Sequence, residues 1–217
     1  MANLPDEGKL SSPAPLHHWN GVWDTADPDR VSWFEPRPES SLDLIESSGV
    51  GYGAALIDVG AGASLLTRQL LEVGYQDLTV LDISASGLAA GRARLGPAAS
   101  HVEWIQADVR HFEPSTTWDL WHDRAVFHFL IGAEDRAAYL ATLDRVLAPD
   151  GQVILATFGP EGPPRCSGLE VRRYSAESLA AELGPGFRPE DSSLQDHTTP
   201  AGESQQFLYA RFRRRNP

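Results

Sequence analysis

Ile57-Asp58-Val59-Gly60-Ala61-Gly62-Ala63-Ser64 joins an apolar run to a helical pattern through a turn with almost no side chains. Residues 54–59 are apolar apart from Asp58, the composition of a central parallel strand covered on both faces. Leu65, Leu66, Leu70 and Leu71 then recur at helical spacing, and Ser64 just ahead of them is the expected N-cap. Gly60 and Gly62 allow a sharp turn and a close approach of backbone to ligand, whose polar end meets the free N–H groups of the helix. The dinucleotide fingerprint needs a third glycine at position 65, where Leu65 stands, so a nicotinamide-dependent oxidoreductase is disfavoured.

The following stretches repeat the pattern. Leu78-Thr79-Val80-Leu81-Asp82-Ile83-Ser84 is a second apolar strand ending in an acid, 22 residues beyond Gly60. In nucleotide-binding α/β folds an acid at that separation sits at the tip of the neighbouring strand and accepts hydrogen bonds from ribose hydroxyls. A third strand, Val102–Ile105, leads into Gln106-Ala107-Asp108-Val109-Arg110; Trp118–Arg124 gives a fourth, and Leu147–Ala156 a fifth, reached through a Pro-x-Gly turn at Pro149 and Gly151. Helices are expected over about 64–73, 84–95, 134–147 and 175–183, with another opening at Pro38-Glu39 and stopped by Gly49. Strands alternating with helices imply right-handed crossovers and a parallel sheet with helices on both faces. Residues 187–193 and 206–213 read as a closing antiparallel pair, the second as an edge strand with solvated arginines.

Acid-x-Gly-x-Gly, the acid at Asp82, Ala-Asp-Val at Asp108 and the Pro-x-Gly turn, in that order, resemble the motifs of class I S-adenosylmethionine (SAM) methyltransferases. The resemblance covers roughly residues 17–212. It implies a Rossmann-like α/β fold with a seven-stranded, mostly parallel sheet whose last strand is antiparallel, and S-adenosyl-L-methionine as cofactor. By the same resemblance Gly60, Ala61, Gly62 and Ser64 cradle the methionine end of the cofactor, and Asp58 orients the loop or meets the amino group through water. Asp82 holds the ribose, Asp108 and Val109 hold adenine with Ile83 on its other face, and His122 contacts the methionine part. His18-Trp19-Asn20-Gly21-Val22-Trp23 and Val31-Ser32-Trp33-Phe34 are similar to the leading segment of elongation-factor lysine methyltransferases, which implies that Trp19, Trp23 and Trp33 close over the cofactor. Asp123-Arg124-Ala125 is instead similar to thiopurine-type and other small-molecule enzymes, and the whole looks most like bacterial methyltransferases of undefined substrate.

Composition is consistent with this. The 217 residues suit one domain, expected over 17–217 with 17–50 as a cofactor cap and 1–16 as a flexible tail. A formal net charge of −12 repels phosphate backbones, so nucleic acid is not an expected partner. The single cysteine, Cys166, rules out an internal disulfide, and no His or Cys spacing marks a metal site. No apolar run is long enough for a membrane span and the start lacks a signal pattern, so neither a membrane partner nor export is expected and the location is expected to be cytoplasmic.

Methyl transfer from a sulfonium asks for positioning above all, which can supply about 7–11 kcal/mol without a strong acid or base. The Gly/Pro-rich stretch 158–169 is long for a plain connection and reads as a lid. Arg124, His128, Cys166 and His197 are expected to surround the acceptor, with His128 or His197 taking its proton. The expected acceptor is a small molecule. A protein lysine, and a non-catalytic module that senses adenosyl ligands, stand as alternatives.

Overall fold

The computed structural model describes residues 13–215. The expected tail lies outside them except for residues 13–16, which belong to the first helix, α1 (Pro13–Thr25). The reason is local: Pro13 and Pro15 fall in the first turn, where the missing N–H costs nothing and the fixed φ favours helix. Then follow α2 (Glu39–Ser47), β1 (Ala55–Val59), α3 (Leu66–Val73), β2 (Asp77–Asp82), α4 (Ala85–Leu95), β3 (Val102–Gln106) and β4 (Trp118–Arg124). The chain continues through α5 (Ala133–Val146), β5 (Leu147–Phe158), the short β6 (Arg165–Cys166) and β7 (Leu169–Glu170), α6 (Ala176–Leu183), β8 (Phe187–Thr198) and β9 (Ser204–Arg214).

Seven strands form one sheet in the order β3-β2-β1-β4-β5-β9-β8. The first five are parallel and β9 runs antiparallel to β5. Because β8 is antiparallel to β9, it runs with the parallel strands and its last residues reach their C-terminal rim. Alternate side chains feed two cores. Ile57, Val59, Trp121 and Leu155 pack on α5 and α6, whereas Leu56, Val80, Leu120 and Ile154 pack on α2, α3 and α4. This is the fold the motifs implied, with β1 next to β4 and the strand order reversing between them, where open α/β sheets bind ligands.

Two local expectations change. Ser64 is not the N-cap: α3 starts at Leu66 with Leu65 as N-cap, and Ser64, two residues before the helix, accepts from the Leu66 amide through Oγ (3.1 Å). The arginines near the C-terminus do not mark an edge, since β8 lies outside β9. Arg211 is buried and donates to Gln152 Oε1 at 2.8 Å. The lid is anchored. Gly159 N donates to the Gln206 carbonyl, β6 and β7 form a two-residue hairpin around Ser167 (φ 49°) and Gly168 (φ 79°), and Arg172 and Tyr174 amides bind the carbonyls of His128 and Phe158. No helix among the described residues is long and apolar enough to cross a membrane.

Candidate functional site

Two adjoining cavities open above the β1–β4 junction, one of about 330 Å³ and one of about 50 Å³. Gly60 (φ 67°) and Gly62 (φ 49°) turn the chain between them in a conformation that side chains resist. A Cβ on Gly62 would lie 2.4 Å from the Trp23 indole, and one on Gly60 would lie 2.0 Å from Val126. The turn is thus bare because two other elements lie directly on it. Trp19 and Trp23 stand one helical turn apart on α1 and share a face. Trp33 meets both edge-on at 6.0 Å, and Trp19 meets Phe129 at 5.1 Å. Asn20 Oδ1 accepts from Ser84 Oγ (2.7 Å) and Asp24 Oδ1 from Ser86 Oγ (2.6 Å), which ties α1 to the start of α4.

The larger cavity runs under these tryptophans and past the strand tips. Its walls include Asp82 and Ile83 after β2, and Asp108 and Val109 after β3. Asp82 accepts from the amides of Gly62 and Ser84, both at 2.8 Å, and keeps lone pairs on each oxygen for a ligand. Burial pushes its carboxyl up to about 6, with the charge of Asp58 adding to the effect and the amide donors opposing it. Asp108 is held by Arg110, whose Nε lies 2.9 Å from Oδ1 and whose Nη2 lies 2.5 Å from Oδ2; Nη1 reaches Asp135 at 2.5 Å.

The smaller cavity holds a buried polar relay. His122 Nδ1 lies 2.7 Å from Asp58 Oδ1, and His122 Nε2 lies 2.9 Å from Ser41 Oγ on α2. Asp58 Oδ2 is buried with no partner among the described residues. His122 therefore spends its side chain on Asp58 and Ser41. Ala61 and Ser64 line the same cavity. Arg124 lines both.

Next to His122, Asp123 is a buried structural hub. It accepts from Tyr139 Oη (2.7 Å) and from the amides of Val126 (2.8 Å) and Phe127 (3.1 Å). These bonds hold the turn at Ala125 (φ 69°) that presses Val126 on Gly60.

The expected acceptor group does not assemble around the cavity. After β4 the chain makes a tight turn with 3-10 geometry over Phe127–Phe129, not an α-helix, so His128 points into the protein. It is wholly buried between the Phe129 and Phe158 rings, and its Nδ1 accepts from the Phe158 amide at 3.3 Å. Burial and the Arg124 charge push its pKa down to about 3, too weak a base for work near neutral pH. His197 is on β8, and its Nε2 donates to the Ser32 carbonyl at 2.7 Å; burial and Arg124 lower its pKa. Cys166, on β6, is buried, and burial raises its thiol to about 11. These three residues lie off the walls of both cavities, close enough to Arg124 for its charge to act on them. Leu169 of the hairpin is the lid residue on the larger cavity.

The sequence reading missed Ser41 and Glu35. Ser41 stands in a helix with no motif around it. Glu35 directly follows the Trp33-Phe34 pair, an acid beside aromatics that signals a site more than a surface.

A family model described as a methyltransferase domain matches residues 56–151. The fold is the Rossmann-like class I methyltransferase fold, and the stretch matched by the family model runs from β1 into β5. The chain is 31% identical over 97 residues to the eEF1A lysine and N-terminal methyltransferase of Mus musculus, covering 44% of this chain and 14% of that one. It is 29% identical over 163 residues to the ubiquinone/menaquinone biosynthesis C-methyltransferase UbiE of Hahella chejuensis, covering 70% and 64%. It thus spans less than two thirds of the length of either relative. Among solved structures, a SAM-dependent methyltransferase from Anabaena variabilis superposes with a TM-score of 0.72 at 18% identity, over 93% of this chain and 94% of that one.

Proposed function

We propose that this chain transfers a methyl group from S-adenosylmethionine to a small-molecule nucleophile. The observation that carries the reading is the pair of linked cavities, with Asp82 and Asp108 on the walls of the larger, and on the smaller Asp58, one of whose oxygens is buried without a partner among the described residues. A buried carboxylate oxygen with no donor is costly unless a ligand supplies one, and the ammonium of an amino-acid tail is such a donor. Gly60 lines both cavities and Ala61 the smaller, so the backbone of the turn can meet the same ligand there, whereas Gly62 is covered by Trp23.

When bound, S-adenosylmethionine supplies the activated methyl carbon. The chain's own residues orient and enclose. Asp82 holds the ribose hydroxyls, and Asp108 with Val109 and Ile83 holds the base. His122, braced by Ser41, holds Asp58 so that Oδ2 faces the small cavity. Trp19, Trp23 and Trp33, in a cap formed by residues 17–50, exclude water and place indole faces toward a cation. We assign rate enhancement to positioning, since the buried His128 is too weak a base for the work and His197 stands off the walls.

A small acceptor is supported by Trp19 of α1, Phe129 and Leu169 of the lid hairpin, which all line the larger cavity. Transfer of labelled methyl to pooled metabolites, thiols and lysate protein tests this. Labelled small molecules are the expected outcome; label on protein alone would move the assignment to a protein side chain, and tight binding without any transfer would make the chain an adenosyl-ligand module. Trp23→Ala is expected to weaken S-adenosylmethionine binding by roughly two- to thirtyfold in calorimetry, the equivalent of about 0.5–2 kcal/mol of cation–π attraction. Unchanged affinity would remove Trp23 from the cap.

A further inference from the structure

We propose that Arg124 is the carboxylate-binding residue of this pocket. The inference rests on the methyltransferase reading above and adds a chemical class of ligand group that the reading leaves open. Arg124 ends β4, and its guanidinium is fixed on three sides. Nε donates to Tyr209 Oη at 2.9 Å and lies 3.2 Å from Glu35 Oε2, while Nη1 donates to the Trp33 carbonyl at 3.0 Å. The group lies over the Phe207 ring, 4.6 Å from its centroid. Nη2 is the exception: it is buried and has no partner among the described residues.

Arg124 is also the one charged side chain shared by the walls of both cavities. The other guanidinium on those walls, Arg110, already binds Asp108 and Asp135. The remaining ionised groups there are mostly carboxylates, among them Asp58 and Asp82, which would repel an anion placed anywhere but at Arg124. A buried N–H donor without an acceptor is rare in a finished structure, and a guanidinium edge matches a carboxylate in shape and polarity. Glu35 balances the charge of Arg124, so recognition here is by directed hydrogen bonds to a singly charged group. That favours a carboxylate over a phosphate.

Two ligands can bring this group. One is the amino-acid end of the cofactor. Asp58 and Arg124 both line the small cavity, and each carries one buried polar atom without a partner among the described residues, Oδ2 and Nη2, the complement of an ammonium and a carboxylate on one carbon. The other is an acceptor molecule with a carboxylate, seated against Trp19 and Phe129 in the large cavity.

Calorimetry on the full chain separates them. Wild type, Arg124→Met and Arg124→Lys are titrated with S-adenosylhomocysteine and with 5′-methylthioadenosine, which keeps the nucleoside and thioether but lacks the amino-acid end. Benzoate is then titrated into each protein saturated with S-adenosylhomocysteine. If the cofactor brings the carboxylate, Arg124→Met weakens S-adenosylhomocysteine at least tenfold and methylthioadenosine less than twofold. If the acceptor brings it, S-adenosylhomocysteine is unchanged, and benzoate binds wild type but not Arg124→Met. Arg124→Lys, which keeps the charge and loses the fork, is expected to fall between and serves where the methionine variant does not fold. Equal losses for both nucleosides would mark Arg124 as structural and overturn the proposal, as would wild-type behaviour of both variants toward all three ligands. Failure of wild type to bind either adenosyl ligand would instead overturn the methyltransferase reading.

Discussion

Replacing Asp82 by alanine is expected to weaken S-adenosylhomocysteine binding roughly ten- to a hundredfold in calorimetric titration. The loss of charge-assisted hydrogen bonds to a ribose is worth about 1.5–3 kcal/mol. The structure adds a second contribution in the same direction, because Asp82 also accepts from the Gly62 and Ser84 amides and so shapes the glycine turn. Asp82→Asn keeps the size but directs an amide N–H at one of those donors, so it should not restore binding. Affinity within twofold of wild type in Asp82→Ala would sink the ribose assignment.

The same residue sets a pH dependence. Burial raises both Asp82 and Asp123 to about 6, so between about pH 4 and 6 the folded chain holds more protons than the unfolded chain. The stability contributed by these two groups is therefore fully present below about pH 4 and is lost as pH rises through 6. Ligand binding runs the other way, since the ribose hydroxyls need the carboxylate as acceptor. Wild-type affinity is expected to be flat above pH 7 and to fall below pH 6, and the Asp82→Ala profile should lack that fall.

The largest effect on stability is expected from Asp123→Ala, on the order of 3–5 kcal/mol in urea denaturation. Three donors converge on this carboxylate, and its partner Tyr139 also accepts from Trp121 Nε1 at 2.8 Å. Removal strands all three in a core that water does not reach, where each unpaired donor costs about 1–3 kcal/mol. Because the bonds to Val126 and Phe127 also fix the turn against Gly60, cofactor affinity should drop with stability. Asp123→Asn keeps one acceptor oxygen and should cost less. A loss below about 1 kcal/mol for the alanine variant would show that the turn is held by packing alone.

The strand-tip walls of the cavities were legible because they are built from contiguous chain. Each strand ends in a short turn, so Gly60, Asp82 and Asp108 are placed by the strand that precedes them, and parallel strands bring their tips to one rim whatever the details of packing. The acceptor half was not legible. His128 was expected beside the acceptor with Arg124, but the tight turn after β4 sets it between two phenylalanines. Cys166 and His197 reach the neighbourhood of Arg124 from β6 and β8, yet neither stands on the walls of the two cavities.

Sequence alone thus determined the strand–helix alternation, the sheet with its late antiparallel strand, and the acids at the strand tips. All of these follow from hydrophobic period, glycine turns and local spacing. Tertiary structure alone decided that His122 joins Asp58 to Ser41, 81 residues away from it in the chain, and that Arg124 is gripped by Trp33, Glu35 and Tyr209. Those partners come from elements with no sequence relation to one another. What pairs them is the need of buried polar groups for a hydrogen bond, which is met by whichever side chain the packed fold brings within 3 Å.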